Sequence, residues 1–153
     1  MLTIRDILAY STTDMDFRIL APEQYPTAID LVAQLNPKTN PDILAHRLEQ
    51  LSQPGYELLG AYDEGQLIGI CGMWTMFRLY IGKLMEIDNV AVDERYRSTG
   101  VGKQMMDWVE NYARAQGCQS IELNTYVNNH RSHKFYYNQG FVTLGYHMQK
   151  RLG

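Results

Sequence analysis

The sequence is poor in cysteine and lacks a long apolar run. Its 153 residues include two cysteines, Cys71 and Cys118, with no CxxC or Cys/His spacing, and its four histidines form no ligand pattern. Neither a disulfide scaffold nor a metal site is therefore expected. Both cysteines lie in strand-like runs, where a reduced thiol packs well. No stretch reaches the roughly 18 apolar residues of a membrane span, so we expect a cytoplasmic protein without a membrane partner.

Clustered positive charge is also missing. The formal net charge is −3, and no basic run exceeds two neighbouring residues. Nucleic-acid binders present a basic patch, so DNA and RNA are not expected partners. The apolar share of 45% is ordinary for a globular protein, and the length suits one core. We predict a single domain over residues 1–153, with residues 1–14 as an N-terminal extension and with a homodimer as a possible assembly.

Proline is absent after position 54, which leaves the later chain open to uninterrupted sheet. Hydrophobic periodicity and turn residues predict a mixed order of strands and helices. The predicted elements are a strand in DFRIL, helices over 22–35 and around 43–51, a β-hairpin about 63–66, a strand over 83–92, an amphipathic helix over 101–116 ended by Gly117, a strand in SIELNTYV, a helix in NHRSHKFYYNQ stopped by Gly140, and a last strand in FVTLGYHMQKR.

The stretch ERYRSTGVGK stands between a predicted strand and a predicted helix. The first N–H groups of a helix have no partner within it, and the helix dipole favours an anion there. Glycine allows a close approach of the backbone, but it serves an ordinary turn equally well. The stretch fits neither the Walker pattern nor the dinucleotide pattern of glycines. The spacing alone leaves a phosphate site and a plain turn both open.

Three segments together resemble the GNAT superfamily of acetyl-CoA-dependent N-acetyltransferases. They are the strand MEIDNVAV, the R-x-x-G-x-G motif in RSTGVG, and NHRSHKFYYNQGF, which is similar to N-x-x-[AS]-x-x-x-Y-x-x-x-G-F. The resemblance covers about residues 16–151. It implies an α+β fold with a mixed, mostly antiparallel sheet of about six to seven strands, flanked by about four helices, in which a splayed strand pair binds acetyl-CoA. The run LNTYVNNHRSHKFYYNQGF looks most like members that acetylate small amines, aminoalkylphosphonate acetyltransferases among them.

The resemblance also implies a cofactor-binding surface. Backbone amides of the glycine loop would hold the pyrophosphate of acetyl-CoA, as helix-terminus physics also predicts, and an N–H near Val90 would bond the acetyl carbonyl. Asn129 matches the asparagine with which the family contacts the cofactor. The predicted cofactor-binding residues are Val90, Ala91, Val92, Arg97, Ser98, Thr99, Gly100, Val101, Gly102, Lys103, Asn124, Asn129 and Ser132.

Three side chains are candidates for catalysis. Glu86 matches the family's general base, and Asp88 lies on the same strand face because side chains repeat every second residue. A pair of solvated acids is the alternative, and a bulge between them would spoil the alternation. Tyr136 matches the family's general acid, since its spacing to Gly140 favours it over Tyr137, although a packing role for Tyr136 is also open.

These residues predict an N-acetyltransferase that moves the acetyl group of acetyl-CoA to a primary amine of a small molecule in a ternary complex. His133 is a weaker site candidate, because a lone histidine is usually a packing residue. Trp74, Phe77 and Tyr80 would wall the acceptor pocket or pack in the core. Two alternatives remain: an acetyltransferase for protein lysines or N-termini, and a non-catalytic acetyl-CoA sensor, which would need neither Glu86 nor Tyr136.

Overall fold

The computed structural model describes residues 15–153, so the predicted N-terminal extension lies outside the described residues. The chain divides into two compact units, one ending at Glu122 and one comprising Leu123–Gly153. The prediction of one domain stays a prediction. The elements, in chain order, are β1 (Met15–Leu20), a 3-10 helix (Pro22–Ala28), α1 (Ile29–Leu35), α2 (Pro41–Gln50), β2 (Tyr56–Asp63), β3 (Gln66–Arg78), β4 (Gly82–Val92), a 3-10 turn (Glu94–Tyr96), α3 (Val101–Ala115), β5 (Ser120–Leu123) and α4 (His130–Asn138).

The strands form one sheet in the order β1-β2-β3-β4-β5, and the pairs β1-β2, β2-β3 and β3-β4 are antiparallel. The predicted hairpin is confirmed: Asp63 pairs with Gln66, and Glu64 and Gly65 both have positive φ, 47° and 79°. That is the type I′ geometry that suits a right-handed strand twist. The α+β class is therefore confirmed, with five strands within residues 15–153 where about six to seven were predicted.

The difference in strand count lies near the C-terminus. Of the predicted strand SIELNTYV, the structure forms only β5, and residues 141–151 have no regular secondary structure. The alternating apolar residues of that last segment are nonetheless present and exposed, from Val142 at 73% to Tyr146 at 92%. Alternation makes a segment suitable for a sheet face, but a strand exists only where a neighbour takes up its N–H and C=O groups.

The first predicted helix is split in two. Residues Pro22–Ala28 form a 3-10 helix, and regular α-helix begins only at Ile29. Pro26 lies inside the first part and has no N–H for the α-helical ladder, which accounts for the interruption. The second helix, α2, begins with Pro41 after Asn40, whose side-chain oxygen accepts the N–H of Asp42 at 2.8 Å.

Two apolar layers cover the sheet of the first unit. On one face, Leu58 and Ile70 join a buried cluster with Leu31 of α1 and with Leu44 of α2. On the other face, α3 buries the apolar stripe that its sequence predicted, together with Met106; the predicted stripe consists of Val101, Met105, Trp108, Val109, Tyr112 and Ala113. Because side chains alternate along a strand, each strand supplies both layers. Cys71 is buried and Cys118 is partly buried, and both are free thiols.

Candidate active site

The loop between β4 and α3 is anchored by a buried acid. Asp93 is 8% exposed and caps the 3-10 turn: its Oδ1 accepts the backbone N–H of Arg95 at 3.0 Å and Nε at 3.1 Å. These hydrogen bonds from Arg95 lower the pKa of Asp93 to about 2. A further hydrogen bond holds the loop to α1: Gln34 Oε1 accepts the backbone N–H of Glu94 at 3.2 Å. The loop therefore leaves β4 in a fixed direction.

The glycine stretch enters α3 through two residues with left-handed backbone. Ser98 and Gly100 both have positive φ, 63° and 91°, and Gly100 is the residue before the first turn of α3. Gly100 has no side chain to cap the helix, so the N–H groups of that turn receive no hydrogen bond from it. Ser98 in this strained region is a feature seen at ligand sites. Arg97 is exposed, and Lys103 pairs with Asp107 at 2.7 Å.

The second half of β4 extends beyond the length of β5. The backbone N–H of Gln119 bonds the carbonyl of Lys83 at 2.8 Å, so β5 starts beside the start of β4. β5 has four residues and β4 has eleven, so strand pairing with β5 spans only the first part of β4. The predicted acetyl-binding residues Val90, Ala91 and Val92 lie at the other end.

Glu86 and Asp88 share a strand face, as the alternation predicted. In the register, Trp74 of β3 pairs with Glu86 and Gly72 pairs with Asp88. The irregularity in β4 comes after Asp88, where Asn89 has a φ of 46°. Because this bulge lies beyond the two acids, it does not separate them.

Asp88 is a partly buried carboxylate held by uncharged donors. Trp74 Nε1 donates to Oδ2 at 3.0 Å, and Asn89 Nδ2 donates to Oδ1 at 3.0 Å. The hydroxyl of Tyr56 makes a longer contact of 3.4 Å with Oδ1. Burial raises the pKa of the Asp88 carboxyl above its ordinary value, and the three hydrogen bonds offset part of that rise. The charge of Asp88 also helps burial to raise the pKa of Tyr56.

Gly72 makes this arrangement possible. A Cβ at position 72 would overlap the Asp88 Oδ1 atom and the hydroxyl oxygen of Tyr56. The ring of Tyr56 packs against that of Trp74, with centroids 4.6 Å apart and planes tilted by 53°. The absence of a side chain in the middle of β3 therefore lets an aromatic pair and a carboxylate meet above the sheet.

A cavity of about 190 Å³ opens beside this cluster, between the helices α1 and α2 and the strands. Tyr56 and Asn89 belong both to its wall and to the hydrogen-bond network of Asp88. Arg47 and Asn36 are further polar residues of the wall. The apolar residues of the wall are Val32, Leu44, Leu48, Leu51, Leu58 and Ile70.

Of the predicted pocket aromatics, Trp74 alone takes part in this cluster. Phe77 is 73% exposed at the end of β3, and Tyr80 is 65% exposed in the turn that follows. The hydroxyl of Tyr80 donates to Glu122 at 2.6 Å. Three-residue spacing puts neighbours on opposite faces of a strand, so the sequence pattern could not hold all three side chains together.

The second unit carries the downstream motif on α4. Asn129 is its N-cap, with Oδ1 accepting the N–H of Ser132 at 3.2 Å. At the other end, Gly140 has a φ of 88°, its N–H bonds the carbonyl of Tyr137, and the N–H of Phe141 bonds the carbonyl of Tyr136. This is a Schellman ending, which confirms the predicted stop at Gly140.

The same ending orients Tyr136. The rings of Phe141 and Tyr136 lie 5.4 Å apart at 71°, and Tyr136 is partly buried. Tyr137 is more exposed, and its hydroxyl lies 2.8 Å from the Thr143 hydroxyl. His133 Nε2 lies 2.9 Å from the carbonyl oxygen of Tyr126, a helix-packing contact. Asn124 follows β5 and is exposed.

The structure divides the predicted site residues between its units. The first unit holds Glu86 and Asp88, residues 90–92 and the loop 97–103; the second holds Asn124, Asn129, Ser132 and Tyr136. Sequence reasoning missed Tyr56, Gly72 and Asn89. Two signals were available: a glycine in the interior of a strand pattern, and an asparagine, the residue type that tolerates positive φ, inside MEIDNVAV.

Two kinds of feature are absent from residues 15–153. No helix there has the length and apolarity needed to cross a membrane. Nor does that part of the chain place three or more His, Cys, Asp or Glu side chains so that they could hold a metal ion.

Known proteins share this sequence pattern. The sequence model of the Acetyltransferase (GNAT) family matches residues 19–141, which include parts of both units. The chain is 22% identical to "Uncharacterized N-acetyltransferase YhdJ" of Bacillus subtilis, over 87% of this chain and 95% of that protein. It is 26% identical to the aminoalkylphosphonate N-acetyltransferase of Salmonella typhimurium, over 67% of each. With the spermine/spermidine N(1)-acetyltransferase of Bacillus subtilis it shares 32% identity, over 59% of this chain and 62% of that protein.

Solved structures share the fold. A putative acetyltransferase from Agrobacterium tumefaciens is 25% identical, with a TM-score of 0.75 over 89% of this chain and 99% of that one. The aminoglycoside N-acetyltransferase AAC(6')-Iy in complex with CoA is 20% identical, with a TM-score of 0.78 over 94% of this chain and 98% of that one. Together with the family match, these findings establish that the chain belongs to the GNAT family of acetyl-CoA-dependent N-acetyltransferases.

Proposed function

We propose that this enzyme acetylates the primary amine of a small molecule by direct attack on acetyl-CoA in a ternary complex. The observation that carries the proposal is the Asp88 cluster. Its carboxylate is partly buried and is bonded by Trp74, Asn89 and Tyr56, all of which are uncharged. A buried carboxylate without a cationic partner attracts an ammonium group strongly.

The size of the neighbouring cavity supports a small acceptor. A volume of about 190 Å³ suits a short amine more than a peptide segment. Two relatives, one named for aminoalkylphosphonates and the other for spermine and spermidine, act by name on small amines. Both arguments favour the small-molecule acceptor over a protein lysine or N-terminus.

For the donor, we assign the pyrophosphate of acetyl-CoA to the backbone amides of residues 97–103. The first turn of α3 has no side-chain cap, and Gly100 supplies the left-handed backbone that starts it. Those two features favour an anion at this point. We assign the acetyl carbonyl to the backbone of residues 90–92, at the end of β4 away from the start of β5. Asn124, Asn129 and Ser132 are proposed contacts from the second unit.

The reaction needs one proton acceptor and one proton donor. The amine nitrogen attacks the thioester carbonyl carbon, a C–N bond forms, and the C–S bond breaks. One proton of the bound ammonium first passes to Glu86 or Asp88, which leaves a neutral amine to attack. The departing thiolate of coenzyme A takes a proton or a hydrogen bond from Tyr136, and the second proton that the nitrogen loses on amide formation balances the proton on the thiol. Because burial raises the pKa of Asp88, its carboxylate is a stronger base than an ordinary solvated carboxylate.

An acceptor screen tests this function. Incubation of the enzyme with acetyl-CoA and a panel of primary amines should release free thiol in an amine-dependent way. Asp88→Asn should raise the KM of cationic acceptors roughly tenfold or more, because a charge-assisted contact is lost, and should leave the affinity for acetyl-CoA nearly unchanged. Equal losses in both affinities would remove Asp88 from the acceptor site.

The role of Tyr136 is tested against its neighbour. Tyr136→Phe should lower kcat by roughly a hundredfold with little change in acetyl-CoA binding, as expected for a group that acts on the leaving thiolate. Tyr137→Phe is the matched control, because it removes a hydroxyl that contacts Thr143. Similar kinetics for both variants would show that Tyr136 has only a packing role.

The competing functions have their own outcomes. Acetylation of protein or peptide amines with no turnover of small amines would replace the proposed acceptor. Tight binding of acetyl-CoA without turnover of any amine would favour a sensor. The cytoplasmic location and the homodimeric state stay predictions, which cell fractionation and sedimentation would test.

A further inference from the structure

We propose that Arg47 binds an anionic group of the acceptor, so that the preferred substrate is a short primary amine that also carries a carboxylate or phosphonate. The inference rests on the proposed function, since it takes the cavity beside Asp88 as the acceptor pocket. It concerns the end of the cavity that α2 supplies.

Arg47 is the one charged side chain among the described residues of the cavity wall. It lies in the last turn of α2 and is exposed. Three other arginines, Arg18, Arg95 and Arg114, each pair with a carboxylate. Within residues 15–153, no carboxylate lies within ion-pair distance of Arg47. Its guanidinium is therefore available to a ligand anion, for which its planar fork is well suited.

The two charged groups near the cavity have opposite signs. Arg47 lines it directly, whereas the Asp88 carboxylate is joined to it through Tyr56 and Asn89. Much of the remaining wall is apolar, with Leu44, Leu48 and Leu58 among its members. Charge complementarity thus selects a molecule with an ammonium at one end, an anion at the other and methylene groups between.

This polarity also excludes a class of amines. A diamine that places one ammonium at Asp88 would bring its second ammonium toward Arg47, and that like-charge contact would weaken its binding. A neutral amide of the same length would lose the ion pair but meet no repulsion. The expected order of preference is therefore anionic, then neutral, then dicationic acceptors.

Four acceptors of similar length test this order with the full chain. They are γ-aminobutyrate, aminopropylphosphonate, γ-aminobutyramide and putrescine. For the wild type, kcat/KM for the better of the two anionic acceptors should exceed that for the amide roughly tenfold or more. The comparison between carboxylate and phosphonate identifies which anion the arginine prefers.

Substitutions of Arg47 isolate its contribution. Arg47→Met should abolish the preference for the anion over the amide, and Arg47→Lys should retain part of it because the charge stays. Arg114→Met is the matched control, since it removes an exposed arginine that pairs with Glu110 on α3. The KM of acetyl-CoA should be the same in all of them.

Two results would overturn the inference while the proposed function stands: faster turnover of the amide or of putrescine than of both anionic acceptors, or an unchanged anion preference in Arg47→Met. Absence of turnover with every amine would contradict the proposed function instead. In that case, calorimetry with γ-aminobutyrate and the CoA-loaded protein still decides the inference. Binding that Arg47→Met removes would support it, and absence of binding would overturn it.

Discussion

The properties of Asp88 depend on its neighbours in the folded sheet as well as on its position in the sequence. Alternation along β4 was enough to put Glu86 and Asp88 on one face. It did not show that Trp74 and Tyr56 would reach Asp88 from two other strands, because that depends on the register of β2, β3 and β4. The carboxylate is bonded in this way to uncharged groups, and its protonation depends on each of them.

Trp74→Phe should therefore shift the pH dependence of the enzyme. The indole N–H bonds the charged form of Asp88 and lowers the pKa of its carboxyl, so the loss of that bond raises the pKa further. If Asp88 is the base, the acid limb of the profile of kcat/KM against pH moves to higher pH. Tyr56, Asn89 and Cys71 also interact with the Asp88 carboxyl, and the substitution leaves all three in place.

The control is Trp108→Phe, which removes the other indole of the chain, on α3. Its acid limb should stay where the wild type has it. An unmoved limb in Trp74→Phe would assign the proton to a different group, with Glu86 as the next candidate.

Gly72→Ala should impair acceptor binding selectively. The added methyl group overlaps Asp88 Oδ1 and the Tyr56 hydroxyl, so one of the two must move. We expect a rise of roughly tenfold in the acceptor KM, as for loss of a charge-assisted contact, and little change in acetyl-CoA affinity. Gly145→Ala is the control, because a methyl group there meets no atom within 4 Å. A parallel change in both variants would contradict a specific role for Gly72.

At the scale of elements, both ends of α3 depend on glycines with positive φ. Gly100 has a φ of 91° before its first turn, and Gly117 has a φ of 77° after its last. At the far end, the N–H of Cys118 bonds the carbonyl of Ala113, as in a Schellman ending. The ends have similar backbones, but only the first faces the proposed pyrophosphate.

Substitutions of Gly100 and Gly117 would separate an effect on stability from an effect on acetyl-CoA binding. Gly100→Ala and Gly117→Ala should each lower the free energy of unfolding by roughly 1 kcal/mol, because alanine is strained at positive φ. Only Gly100→Ala should also weaken acetyl-CoA binding, as measured by calorimetry beside a thermal melt. Equal binding of acetyl-CoA by the two variants would show that the glycine loop is an ordinary turn and not a pyrophosphate site.

Most elements with local signals were predicted well, and the interruption of the first helix at Pro26 is the exception. The hairpin at Glu64-Gly65, the amphipathic helix α3 with its stop at Gly117, and α4 with its stop at Gly140 all depend on residues close in sequence. Prediction failed where pairing decides, as in the short β5 and residues 141–151. The Asp88 cluster was partly missed for the same reason, since Tyr56 and Asp88 are 32 residues apart and meet only through the sheet register.

At the scale of the whole molecule, the sheet of the first unit separates two apolar layers that have different structural roles. Leu58 and Leu59 are neighbours on β2, and both are fully buried. Leu58 belongs to the cluster that surrounds the cavity, and alternation places Leu59 in the layer below α3. One layer shapes a pocket, and the other holds the helix that begins the proposed donor site.

Leu58→Ala and Leu59→Ala should both destabilise the protein, by roughly 2–5 kcal/mol each, as is usual for buried leucines. Leu58→Ala should in addition enlarge the cavity and improve kcat/KM for bulkier amines relative to short ones. Leu59→Ala should leave that ratio as in the wild type. Thermal melts and a series of branched amines would measure the two effects, and an equal shift in selectivity would contradict the assignment of the cavity to the acceptor.

The two fixed ends of α4 turn a sequence spacing into an angle. Asn129 caps the start of the helix, and Gly140 with its left-handed backbone ends it. Each residue of an α-helix advances the side-chain direction by about 100°. One residue inserted between Asn129 and Tyr136 would therefore rotate the phenol by more than a quarter turn about the helix axis, even though every element of the motif would still be present. The separation of seven residues between Asn129 and Tyr136 therefore fixes the direction of the Tyr136 side chain relative to the start of α4.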